Sequence, residues 1–420
     1  MFPRIQTIVM IAIATFCASV QAADWPGFRG PHGNGTTSDK GFPTKWSADE
    51  NVRWKIALSE PSNGSPIVSN GCVFLVSAAD DGKKRTLTCC DRTDGSQKWA
   101  KTVAFGKETP THRQNPHGST TPAADGKHVV VWHDSAGLYC YDFDGEELWK
   151  RDLGEFEHIY GGGTSPVIHK NRVILHSGPG TRVFVGAYDL ASGKTLWETE
   201  EKTEGDHEKR ADGRDKGSWS TPVLASVNGS EQVICTMTTR VNGYDLESGE
   251  LIWWCSGLSG SRGDIVSSSP VVSNGICVVM AGYRGPALAV KIDGKGDVTE
   301  SKRVWYEKRN SESIGTGVFL GDHIFRPNAD RSTIECLDAK TGKSVWSERA
   351  GGNHWGSMVL ADGNLYVTNT RGGTYVFKAN HEEYEEVSQN EFPETCNATP
   401  ALSDGQIFIR TYEHLYCIGK

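Results

Sequence analysis

The stretch LTCCDRTDGSQKW at residues 87–99 holds two adjacent cysteines, an acidic turn, a glycine and a tryptophan. Its reading decides the fold, because the arrangement returns along the chain. DFDGEELW follows at 142–149, DLASGKTLW at 189–197, DLESGELIW at 245–253 and DAKTGKSVW at 338–346, with a degenerate copy ending at Trp305. The tryptophans at 99, 149, 197, 253, 305 and 346 lie 41 to 56 residues apart, which is the spacing of propeller blades and not of a helical solenoid. The chemistry of the turn is local. Aspartate caps its own backbone, a glycine of positive φ closes a hairpin, and the tryptophan opens the outer strand, covering apolar surface while its ring N–H reaches an acceptor.

A second landmark opens each unit. It reads NGSPIVSNGCVFLV at 63–76, STTPAADGKHVVVW at 119–132, TSPVIHKNRVIL at 164–175 and STPVLASVNGSEQVICTM at 220–237. SSPVVSNGICVVM at 268–280, GTGVFLGDHIF at 315–325, WGSMVLADGNLYVT at 355–368 and ATPALSDGQIFIR at 398–410 complete the set. Each is a short strand, a turn rich in Asn, Asp or Gly, and a second apolar strand. Eight units predict an all-β, eight-bladed β-propeller with four-stranded antiparallel blades. Only the last unit is expected to lack a downstream turn and tryptophan. The segment NVRWKIAL at 51–58, with Trp54 matching the repeated tryptophan, is expected to supply that outer strand, so that an N-terminal strand completes the last blade and removes a free edge.

Aligning the repeat with itself settles the two cysteines. The strand before each turn reads LTCCD, LYCYD, VGAYD, VNGYD, IECLD and finally LYCIG, so Cys89 shares its place with Cys140, Ala187, Gly243, Cys336 and Cys417. That place takes only small residues, as a buried spot between sheets requires. Cys90 falls where other units carry Tyr, Leu or Ile, on the opposite face of the strand. Adjacent Cα atoms are about 3.8 Å apart, short of the ~4.4–6.8 Å of ordinary disulfides. The pair is therefore expected to be two separate, unreactive thiols.

Composition narrows the class further. The chain has 420 residues, 48 of them glycine and 13 tryptophan, and carries a net charge of -8 without a basic cluster. Nucleic acid is disfavoured as a partner, because phosphate binding needs concentrated Lys and Arg. Residues 1–22 have the layout of a signal peptide: Arg4, an apolar run from Ile8 to Phe16, and small residues at Val20 and Ala22. The run is short for a membrane span, and Phe16 before Cys17 is unlike a lipoprotein site. An exported protein, periplasmic or extracellular, without membrane insertion and monomeric, is expected. Its parts are the signal peptide at 1–22, an N-terminal arm at 23–50 and the propeller at 51–420. Of eleven cysteines, ten remain after that cleavage, scattered and without the spacing of a zinc site.

With these residues laid out, the chain resembles the pyrroloquinoline quinone (PQQ)-repeat family of eight-bladed propellers, whose unit reads LxALDxxTGxxxW. WPGFRGPHGNG at 25–35 and HLYCIG at 414–419 resemble its secreted bacterial subgroup. The resemblance implies two functions. Quinoprotein alcohol dehydrogenases of the family hold PQQ and calcium in the central funnel, using a vicinal disulfide, a stacking tryptophan, a catalytic Asp and oxygen ligands. This sequence offers only the CC dipeptide, in the wrong register, and no catalytic or metal residue carries over. The branch resembling outer-membrane assembly lipoprotein B is a non-enzymatic scaffold holding proteins on its loops.

Other segments are plainer. DGKGD at 293–297 is half of a calcium loop with Lys295 at a ligand position, and reads as an irregular hairpin. EEYEEV at 382–387 reads as a solvated edge strand, and the mixed-charge segment 203–217 as a mobile loop. Segments leading from each tryptophan strand to the next blade approach the axis and carry polar and aromatic residues that folding does not demand. His112, Arg113, His117, His158, Tyr160, Trp219, Arg262, Asp264, His354 and Trp355 form the expected binding rim. A non-catalytic scaffold receiving a protein, peptide or glycan there, with no cofactor, is the favoured function; a dehydrogenase dependent on PQQ and calcium is the alternative.

Overall fold

The computed structural model describes residues 24–201 and 209–420. The signal peptide, Cys17 and the boundary between Ala22 and Ala23 lie outside the described residues. Eight four-stranded antiparallel units follow one another around an axis, the fourth extended by a short fifth strand, Gly296–Asp297. Blade one comprises Ile67–Ser69, Cys72–Ala79, Lys84–Asp91 and Gln97–Ala104. Blade eight contains Ala401–Ser403, Gln406–Arg410 and His414–Ile418, with Val52–Ala57 paired on its outside and Trp54 opposite Cys417.

The repeated turn works as a joint between blades. Asp91, Asp142, Asp189, Asp245 and Asp338 accept backbone N–H groups of their own turns, and the Thr93 hydroxyl and backbone hold the Asp91 carboxyl below the usual carboxylate range. Six of the tryptophans then reach into the turn of the next blade. Trp54, Trp99, Trp149, Trp197, Trp305 and Trp346 donate Nε1–H to the carbonyls of Arg92, Phe143, Leu190, Leu246, Ala339 and Asn380 at 2.7–3.2 Å. Gly193 and Gly249, both at positive φ, lie against the rings of Trp149 and Trp197 so closely that a Cβ would collide. The glycine thus serves both the turn and the ring.

The small position explains itself in the same geometry. Cys89, Cys140, Ala187, Gly243, Cys336 and Cys417 stand directly opposite the tryptophans 99, 149, 197, 253, 346 and 54. A larger side chain would compete with the indole for space. Cys89 packs in the cluster with Phe74 and Leu87, whereas Cys90 packs with Val73 and Leu75 in a different one. All ten described cysteines are free and buried.

Three features differ from the sequence reading. Trp253 donates to Gln232 of its own blade, and the next blade has Lys291 and a longer turn closed at Lys302 in place of the repeated Asp turn. Blade seven also lacks the tryptophan: Ser388 occupies its register opposite Val376. The arm makes up the loss, since the Trp46 N–H donates to Asn390 and Phe42 and Trp46 join the buried cluster of Phe392 and Cys396. Finally, residues 209–217 are built into the molecule. Lys216–Ser218 pairs in parallel with Asp264–Val266, and the charges of this loop find partners in Asp215 and Asp264.

The blades meet at the axis through a closed girdle of hydroxyls. The backbone N–H of Ser65 donates to the Thr121 hydroxyl, Thr121 to Ser165, Ser165 to Thr221, and Thr221 to Ser269. Ser269 donates to Thr316, Thr316 to Ser357, Ser357 to Thr399, and Thr399 back to Ser65. Serine and threonine alternate through all eight blades, at 2.9–3.2 Å. Each buried N–H at the crowded centre is thereby satisfied by the following blade. From the girdle the inner strands run away from the loops of the rim, towards the end of the axis where the arm lies.

Candidate functional site

The rim is built from two kinds of loop: those leading from an outer strand to the next inner strand, and those joining the second and third strands of a blade. Four of the expected residues come together. The Trp219 ring stands edge-on to His158 at 5.0 Å, Tyr160 lies 5.5 Å from His158 and 6.2 Å from Trp219, and His112 lies 5.8 Å from Tyr160. Hydrogen bonds fix the group. Trp219 Nε1–H donates to the Gly161 carbonyl at 2.8 Å, His158 Nε2 sits 3.0 Å from the Lys216 carbonyl, and Asn115 Nδ2 donates to the carbonyls of Tyr160 and Gly162.

Residues that the sequence reading did not single out complete it. The Tyr283 hydroxyl donates to the Tyr160 hydroxyl at 2.9 Å, which donates to Asp215 at 2.7 Å. This relay ties a loop of blade five to the segment between blades two and three. Tyr283 and Arg284 both adopt positive φ, an uncommon backbone for side chains of that size, and one that concentrates at functional sites. Burial pushes the Asp215 carboxyl up, yet the bonds from Lys209 and Tyr160 outweigh it and hold the group below the ordinary range. Burial and the bonds to Tyr283 and Asp215 raise the Tyr160 phenol. Asn63, which donates to Asn115, also accepts from Asn397 and Tyr412. None of these carries a repeat signature; the only sequence sign of Tyr283 is its place in the Gly-flanked turn AGYRGP.

The remaining expected residues lie elsewhere or in other roles. Arg113 and Arg262 are exposed and Trp355 is half-buried. Asp264 is buried and paired with Arg210 at 3.0 Å; burial raises its carboxyl and Arg210 opposes the shift. His117 is half-buried in a small pocket beside Arg85 and Asp134, and burial, then Arg85, lowers its imidazole to about 4. His354 is a correction. Its ring is fully buried between the Thr368 and Ala350 carbonyls at 3.1 and 3.0 Å, so it braces the loop from within and presents nothing to a partner.

Several rim carboxylates are already committed. Asp215 pairs with Lys209, Asp264 with Arg210 and Asp330 with Arg284, while Glu312 accepts the Tyr283 N–H. A calcium site needs six to eight converging oxygens, carboxylates among them. Among the described residues one trio of metal-ligating types approaches closely, Glu394, Glu413 and His414. There Glu394 already receives bonds from Thr411, His414 and Tyr416. The donor sets present do not fit a quinone–calcium pair.

A family model described as outer membrane protein assembly factor BamB matches residues 36–117 and 83–348. The chain belongs to this family. BamB from Moraxella catarrhalis has a similar structure, with a TM-score of 0.58 at 13% identity over 87% of this chain and 96% of that one. Quinohemoprotein alcohol dehydrogenase from Comamonas testosteroni matches with a TM-score of 0.64 at 11% identity, over 96% of this chain and 82% of that one. A europium-containing methanol dehydrogenase gives 0.55 at 11%, over 95% and 98%. At such identities the likeness to BamB and to the dehydrogenases is one of fold alone. No curated protein matches the sequence. Among the described residues no helix is long and apolar enough to cross a membrane.

Proposed function

We propose that this BamB-family protein is an exported, non-catalytic propeller that receives a partner protein on its rim. The observation that carries the reading is the relay from Tyr283 through Tyr160 to Asp215, with Trp219 and His158 stacked beside it. It locks loops from different blades into one prearranged surface. Half-buried Tyr and Trp, together with exposed Arg such as Arg262, which acts electrostatically on the Glu312 that accepts the Tyr283 N–H, are the residue types that dominate protein interfaces, and rigid loops lose little entropy on binding. The family name, an assembly factor for outer membrane proteins, fits a protein ligand and a location outside the cytoplasm. Against the quinoprotein alternative stand Asp215, Asp264 and Asp330, each already paired with a basic side chain.

The test is affinity capture from the exported fraction, comparing the wild type with Trp219→Ala and Arg262→Ala. A protein retained by the wild type should fall at least tenfold in both variants while their thermal unfolding stays near that of the wild type. Equal retention by folded variants would contradict the placement of the surface.

A further inference from the structure

At the other end of the axis the arm closes the channel by imitating a strand. In blade one Ser69 and Cys72 flank a two-residue turn, and Val68 opposite Val73 occupies the next, non-bonded pair, so its N–H and C=O point to the axis. Trp25 takes both: its N–H donates to the Val68 carbonyl at 2.8 Å and its carbonyl accepts the Val68 N–H at 2.9 Å. Ala124, at the same place in blade two, donates to the Pro26 carbonyl at 2.7 Å, and Leu360 of blade seven exchanges bonds with Gly35 and Thr37. Buried Arg29 ties the arm to the Gly317 carbonyl of blade six.

The arm passes over blades three and four without such bonds. The equivalent residues are Ile168, opposite Val173, and Leu224, opposite Val233, each three positions beyond its girdle residue, as Val68 and Leu360 are. Their axis-facing backbone groups have no partner among the described residues. Between them and the arm lies a cavity of about 290 Å³, lined by Phe28, Pro31, Ala124, Ile168, Leu224 and Ser226. That volume is at the lower end of the ~300–1,000 Å³ of ligand sites, enough for a few extended residues and too small for a folded domain.

We infer that this cavity takes a short extended peptide segment of a partner protein, held by strand pairing to Ile168 and Leu224. Successive residues of an extended chain direct their N–H and C=O groups to opposite sides, so one segment between the two edges meets both. The arm demonstrates the binding mode on three other blades of the same ring. Main-chain bonds supply affinity in such recognition, and the lining side chains select small or apolar residues. This site is separate from the rim, and neither reading depends on the other.

The test uses the full exported chain and a pool of acetylated, amidated pentapeptides whose second and fourth residues vary among Ala, Val, Ser and Phe. At millimolar concentration the pool should slow amide exchange at Ile168 and Leu224 at least tenfold, leaving Val68 and Leu360 unchanged. A pool methylated on its backbone nitrogens should have no effect. Leu224→Pro, which removes an axis-facing N–H while sparing the ladder bonds, should abolish the protection at Ile168. Unchanged exchange with the first pool, or equal slowing by the methylated one, would overturn the inference whether or not the proline variant folds.

Discussion

Replacing Trp197 by alanine is expected to lower the unfolding free energy by about 3–5 kcal/mol, the range for truncating a buried aromatic side chain. Trp197 is 8% exposed, closes the gap to the next blade over Gly249, and donates to the Leu246 carbonyl at 2.9 Å. Its loss opens a cavity between blades and leaves that carbonyl without its donor. Leu196, its neighbour on the strand, is 45% exposed, and its replacement by alanine should change stability by no more than about 0.5 kcal/mol. Urea unfolding of the two variants measures the contrast. Similar losses in both would show that the tryptophan joint does not hold the blades together.

Acid should destabilise the protein well above the range where ordinary carboxylates titrate. Burial lowers His133 to about 3, His176 to about 4 and His354 to about 4. Half-buried His117 is lowered to about 4 as well, so below the ordinary histidine range the unfolded chain binds four protons that the folded one refuses. The stabilisation is fully present above pH ~6.5 and is lost as pH falls towards the folded values. Asp134 acts in the opposite sense, since burial raises it to about 6 although Arg85 lies 3.6 Å away and opposes the shift. Between pH 6 and 4 the net uptake is three protons, or roughly 4 kcal/mol per pH unit. Both ring nitrogens of His133 are buried without a hydrogen-bond partner, and its ring packs 5.8 Å from Tyr139. His133→Phe should keep stability near neutral pH and lower the slope by roughly a third. Denaturant titrations at several pH values test this, and an unchanged slope in the variant would refute the assignment.

Why some of this could be read in the sequence follows from repetition. The Asp turn, the glycine and the tryptophan recur because every blade solves the same joint, and the small residue before the turn recurs because an indole stands opposite it, as at Cys140 and Trp149. The hydroxyl girdle was also written in the repeat, in the Ser or Thr that precedes each inner strand, but only the ring shows that Thr399 returns to Ser65. Single-copy features lacked that check. His354 shares a polar loop with Trp355, and nothing in GNHWG tells that its ring turns inward to two carbonyls. Tyr283 and Asp215 lie 68 residues apart in sequence and meet only through Tyr160. The arm's path across the axis depends on backbone edges, which leave no trace in side-chain pattern.

The central claim is that the rim is a binding surface and not a quinone site. Calorimetric and absorbance titration of the purified protein with PQQ and calcium, together with a dye-linked alcohol oxidation assay, tests it most directly. The account predicts no stoichiometric binding and no turnover, because several rim carboxylates are held by Lys209, Arg210 and Arg284. Tight one-to-one binding accompanied by alcohol oxidation would contradict it.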